Sequence, residues 1–187
     1  MEVKTINADI CEQANHILYD CGLLNELNKY GKAHIIGSYK MNLMAWNDID
    51  IDIENNSMSL EKLHKLTTYI INNFNPNWYE AKEEINKQGN KVWFHGFEFY
   101  FGEELWNVDI WFLDKNTINK AEKYCDDIVE KVKSNEKLRT AIINIKQELI
   151  NRNLYSFDKY TSLDVYDAVL NKDILSIDDF IEKYRKS

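Results

Sequence analysis

Asp48, Asp50 and Asp52 alternate with Ile49, Ile51 and Ile53 in the run DIDIDIE. Alternation is the period of a β-strand, so the three carboxylates share one face at intervals of about 6.5–7 Å. Two like charges at that distance repel by roughly 2 kcal/mol at an effective dielectric near 20. Water at an exposed edge screens much of this, and a solvated strand face is the plainer reading. Aspartate is a poor strand former, however, and a surface strand would more naturally carry Thr, Lys or Glu. A compensating divalent cation accounts for the row more economically. Mg2+ takes hard oxygen ligands: one or two carboxylates, water and phosphate oxygens. Carboxylates at alternate positions can share a metal pair, with ions about 3.5–4 Å apart. A third carboxylate from a neighbouring strand would complete such a site. WNVDIWF offers Asp109, an acid inside an apolar strand pattern, where an unpaired carboxylate is costly.

A second group fits the other half of that chemistry. The apolar run KAHIIGS ends in Gly37 and Ser38. Glycine after a strand lets the backbone approach a ligand closely. The Ser38 hydroxyl and the following backbone N–H groups, at the start of a short helix, make an anion site. Lys40 would add a positive charge to a phosphate there. Gly-Ser alone is usually just a turn; its place ten residues before an Asp-x-Asp strand gives it weight.

The elements that must hold these residues can be read from periodicity. Apolar residues from Asn7 to Lys29 recur at helical spacing, with a break expected at Gly22. KAHIIGS and DIDIDI are strands, and Leu60 to Phe74 is a helix with Ser59 as N-cap. Three alternating aromatic runs follow, Trp78–Glu84, Lys91–Phe101 and Leu105–Leu113, the last two joined across GEE as a hairpin. They place Trp106, Val108, Ile110 and Phe112 on one face and Asn107, Asp109 and Trp111 on the other. After Asp114 the pattern is helical, with capping boxes at Thr161/Asp164 and Ser176/Asp179. The expected class is α+β: a mixed sheet backed by helices over residues 1–114, then a helical region over 115–187.

The bulk composition narrows the partners. The chain has 187 residues and a net charge of −8, which disfavours broad binding to nucleic-acid backbones. The N-terminus lacks a secretory h-region, and no apolar run is long enough to cross a membrane. The expected location is the cytoplasm, with Cys11, Cys21 and Cys125 as buried thiols.

The order apolar-Gly-Ser, spacer, Asp-Ile-Asp-Ile and a later apolar-Asp-apolar strand resembles the DNA polymerase beta-like nucleotidyltransferase superfamily. Here these are IIGS at Ile35 to Ser38, DIDI at Asp48 to Ile51, and VDI at Val108 to Ile110. The style is closest to the small bacterial members, which include antibiotic nucleotidyltransferases for aminoglycosides and lincosamides. The resemblance implies a nucleoside triphosphate (NTP) substrate such as ATP, two Mg2+ ions, and transfer of a nucleoside monophosphate (NMP) to a hydroxyl. It implies that Gly37 and Ser38 hold the triphosphate, that Asp48 and Asp50 ligate metal, and that Asp109 is the third carboxylate. The spacer YKMNLMAWN departs from the family in lacking a glycine. Asp52 leaves a second pair open, Asp50 with Asp52; the strand start favours Asp48 with Asp50. The acidic charge and aromatic strands favour a small-molecule acceptor, such as an antibiotic, over nucleic acid. The alternative is a non-catalytic nucleotide-binding or regulatory protein of toxin–antitoxin type. The motifs do not encode the nucleotide, the acceptor or the oligomeric state.

Other candidates are plainer. His16, His34, His64 and His95 show no metal-ligand spacing, and no P-loop, Rossmann or nucleophile-elbow motif occurs. Arg139 and Lys146 share a helix face and could reach a triphosphate, though solvated helix charges are the commoner case. Tyr160, Ser162 and Tyr166 are further lining candidates. Trp111 has the parity to stack on a base or acceptor ring, with core packing the plainer reading.

Overall fold

Five strands form one sheet in the order β1-β2-β5-β4-β3. They are β1 Ala33–Ile35, β2 Asp48–Glu54, β3 Trp78–Ile85, β4 Lys91–Phe101 and β5 Glu104–Leu113. The structure is a computed structural model and describes residues 3–55, 57–86 and 89–184. β2 and β5 run parallel; the other neighbouring pairs are antiparallel. The architecture is α+β, a mixed sheet with helices, as the sequence led us to expect.

Strand alternation divides the sheet cleanly. Ile49, Ile51, Ile53, Val108, Ile110 and Phe112 are all buried on one face. They pack against α1 Val3–Asn15, its π-helical continuation His16–Asp20, α2 Leu23–Leu27 and α4 Leu60–Phe74. The break before α2 falls at Gly22, whose φ of 76° is a left-handed conformation that favours glycine. Ser59 caps α4, accepting the Lys62 N–H at 3.3 Å.

A second apolar cluster joins Met41, Leu43 and Ala45 to α5 Lys115–Val132, α6 Glu136–Asn151, α7 Ser162–Lys172 and α8 Ile177–Lys183. The segment after the one-turn α3, Gly37–Lys40, therefore packs with helices far downstream. The Thr161/Asp164 capping box starts α7. Ser176 caps α8 by accepting the Asp179 N–H.

The other sheet face is laid out in three cross-strand rows. Glu80, Gly96, Asp109 and Asp50 form the central row. Trp78, Glu98, Asn107 and Asp48 lie on one side of it. Lys82, Phe94, Trp111, Asp52 and His34 lie on the other. Among the described residues, all three cysteines are free; Cys125 is buried, whereas Cys21 is exposed rather than buried as expected. No helix of the described residues is long and apolar enough to cross a membrane.

Candidate active site

Asp50 and Asp109 stand opposite each other in the parallel β2–β5 pair, and Asp48 stands opposite Asn107. All three aspartates line a cavity of about 420 Å³, together with Gly37 and Ser38. Its far wall comes from the helical region, through Tyr124, Tyr155, Ser162 and Tyr166.

Gly37 is needed there twice over. Its φ is 66°, and a Cβ on it would lie 2.0 Å from Asp50 Oδ2. The turn thus lies directly against the Asp50 carboxylate. The Ile36 N–H donates to the Asp50 carbonyl at 3.1 Å and ties the turn to the strand.

Asp48 is held from both sides. Asn107 Nδ2 donates to its Oδ1 at 2.7 Å and Trp46 Nε1 to its Oδ2 at 3.4 Å. Asp50 has its pKa pushed well up by burial, then by the charges of Asp48, Asp109 and Asp52, with Lys146 opposing. Burial and Asp48 push Asp109 up to about 6, with an Asn107 hydrogen bond opposing and Glu80 and Glu98 adding to the rise.

Lys146 is the buried amine beside them. It is 0% exposed on α6. Its Nζ donates to Ser38 Oγ and to the Leu43 carbonyl, both at 2.8 Å, and lies 4.3 Å from the Trp46 ring centroid. Burial lowers its pKa to about 7 against the pull of Asp48 and Asp50. Because Ser38 Oγ accepts from Lys146, its own proton is left to donate, to the Tyr166 hydroxyl at 3.2 Å or to a ligand.

Other expected residues lie elsewhere. Lys40 turns to α5, where it pairs with Asp126 at 3.0 Å and Glu122 at 3.8 Å, and it does not line the cavity. Asp52, 3% exposed, is also outside the lining. It faces His34, whose ring contacts Glu122 at 2.9 Å and Glu54 at 3.3 Å. Arg139 borders a separate recess with Asn7 and Asn42. Tyr160 packs on Phe180, with ring centroids 4.9 Å apart. Trp46, Tyr155 and Phe157, which the motifs did not single out, belong to the site.

Among the described residues, no group of three or more His, Cys, Asp or Glu is gathered in metal-holding geometry. The donor set still suits a hard divalent cation. Asp48, Asp50 and Asp109 are oxygen donors, and burial together with the charges of the other two raises the Asp50 pKa.

No protein-family model matches the chain, and no curated protein matches it. Solved structures do. A cytoplasmic RNA terminal U-transferase superposes with a TM-score of 0.56 at 14% identity, covering 87% of this chain and 47% of its own. The Cid1 poly(U) polymerase bound to MgATP gives 0.58 at 14% identity, covering 83% and 47%. The mtPAP structure in complex with CTP gives 0.51 at 10% identity, covering 94% and 46%. The chain shares the fold of these nucleotidyltransferase structures. This nucleotidyltransferase-fold chain spans about half the length of the structures it matches.

Proposed function

We propose that the protein is a nucleotidyltransferase that uses two Mg2+ ions to move an NMP from an NTP to a hydroxyl of a small-molecule acceptor. One observation carries this reading. Asp48, Asp50 and Asp109 meet the Gly37–Ser38 turn at a single cavity, with Gly37 lacking the Cβ that would strike Asp50. Asp48, Asp50 and Asp109 would hold the metal, which when bound lowers the pKa of the acceptor hydroxyl and stabilises the leaving pyrophosphate.

The chain's own residues account for the rest. Ser38, its Oγ engaged by Lys146, donates its proton to a phosphate oxygen. In the transfer, a bond forms from the acceptor oxygen to the α-phosphorus, and the bond to the bridging oxygen of pyrophosphate breaks. The pyrophosphate leaves with the electron pair. Asp109, in register with Asp50 at the cavity, takes the hydroxyl proton.

A small acceptor is favoured over RNA, the substrate class named for the U-transferase. Glu80 and Glu98 stand beside Asp109 on the sheet face, and the net charge is −8. A phosphodiester backbone would meet repulsion on that side.

Calorimetry with ATP, GTP, CTP and UTP, with and without Mg2+, tests the reading on wild type and Asp50→Asn. Mg2+-dependent binding to wild type, lost in Asp50→Asn, is expected. Absence of binding to any nucleotide under any metal condition would overturn it.

A further inference from the structure

Next to the nucleotide cavity, the same sheet face carries an aromatic cleft of about 530 Å³. Its floor includes Phe94 and Trp111, with ring centroids 4.5 Å apart, and Trp78. Gly96, in register with Asp109, makes room for these rings. A Cβ at Gly96 would come within 2.6 Å of the Phe94 ring and 3.0 Å of the Trp78 ring.

Two residues, Asp109 and Phe157, line both this cleft and the nucleotide cavity. Phe157 reaches them from the other side, on the turn between α6 and α7. That turn is closed on itself. The Ser156 N–H donates to the Tyr160 carbonyl at 2.9 Å, and the Lys159 N–H to the Ser156 carbonyl at 3.1 Å. Tyr155 and Tyr160 are also bridge partners. The turn therefore holds the Phe157 backbone beside the two cavities, with the residue 95% exposed. A ligand seated there would cover apolar surface that otherwise faces water.

We propose that this cleft seats the acceptor, and that the acceptor carries an aromatic ring close to its reacting hydroxyl, held between Phe157 and the Phe94–Trp111 floor. The word acceptor rests on the nucleotidyltransferase reading; the ring-binding cleft does not. Asp109, common to both cavities, is where the acceptor's hydroxyl meets the nucleotide. Lys82, over the Phe94 ring at 5.2 Å, is held by Glu80 at 3.3 Å and by Glu84 at 2.8 Å, which leaves Glu98 and Asp109 to oppose a ring that carries a phosphate.

Saturation-transfer NMR on the full chain, without nucleotide, tests this with three probes. They are phenyl β-D-glucopyranoside, methyl β-D-glucopyranoside and phenyl phosphate. The phenyl glucoside is expected to bind, and the other two to bind about tenfold more weakly. Phe157→Ala and Trp111→Leu should each weaken the phenyl glucoside about fivefold. Phe157 is on the surface, so its truncation tests the cleft without emptying a core. The inference is overturned if the phenyl glucoside fails to bind wild type, binds no better than the other probes, or binds both variants as well as wild type. Calorimetry with Mg2+ and NTPs on the same samples keeps the two claims apart. Nucleotide binding without probe binding overturns the cleft alone, and probe binding without nucleotide binding overturns the transferase reading and the acceptor role.

Discussion

Lys146 Nζ lies 2.8 Å from Ser38 Oγ, so a helix near position 146 holds the turn that follows the first strand. The lysine sits behind Ser38, outside the cavity lining, and acts through the serine. It is a positioning residue. Lys146→Met should weaken NTP binding about tenfold by calorimetry, since hydrogen bonds from a charged donor are worth about 1.5–3 kcal/mol. Stability should change little, because losing the bonds to Ser38 and the Leu43 carbonyl is offset by removing a buried amine whose charged form is disfavoured. A variant with unchanged NTP affinity would remove Lys146 from the positioning role.

Asp50→Asn should separate stability from function. It removes a carboxylate crowded by Asp48, Asp109 and Asp52 while keeping its shape against Gly37. In chelator near neutral pH the variant should melt higher than wild type, by several degrees for about 1 kcal/mol. Its Mg2+-dependent nucleotide binding should disappear. A lower melting temperature in chelator would contradict the crowding.

The metal-free protein should lose stability as pH rises from about 4.5 to neutrality. Asp52 and Asp109 are pushed up to about 6 and Asp50 is raised as well, so the folded state keeps protons that the unfolded chain has lost. That advantage fades as pH passes the folded values. His95, buried with its pKa lowered to about 4, opposes this from pH 4 to 6.5, one imidazole against three carboxylates. Above neutrality Lys146 takes over. Its pKa is about 7 folded against 10.5 unfolded, so stability climbs across that window. Thermal melts in chelator from about pH 4.5 to 10 should therefore show a shallow minimum near neutral pH. Mg2+ should raise the melting temperature most at that minimum, and equal Mg2+ shifts at every pH would count against the assignment.

Gly37→Ala should be harsh for so small a change. The left-handed backbone alone costs an alanine about 1–2 kcal/mol, and its methyl group would meet Asp50 Oδ2. Chemical denaturation should show at least that loss, and the Mg2+-dependent rise in melting temperature should shrink. A neutral variant would mean that the turn and the carboxylate are not in contact.

Lys40→Met should leave NTP affinity within about threefold, because its amine is engaged by Asp126 and Glu122. A tenfold loss by calorimetry would return Lys40 to the phosphate.

Local pattern made much of this legible. The period of two in DIDIDIE forces its carboxylates to one face, and the apolar parity of β5 puts Asp109 on a definite face too. What local pattern lacks is the identity of the neighbours. Asp52 leaves the cavity because β1 brings His34 across from it and Glu122 lies nearby on α5. Lys40 faces α5 for a similar reason, since a one-turn helix does not reveal which later helix it faces. Phe157 carries no periodic signal: it is one aromatic in a polar turn, and its meaning comes from the two cavities that meet beneath it.

The parallel pairing of β2 with β5 has a consequence for how the chain comes together. Asp50 and Asp109 meet only after α4, β3 and β4 have formed the return path between them. Such long-range parallel contacts are slow to form. A half-folded chain therefore has no paired carboxylates to offer, and any ligand of this site recognises the finished fold alone. Mass action then makes that ligand a folding partner as well as an occupant, drawing the population towards the native state as its concentration rises over its Kd.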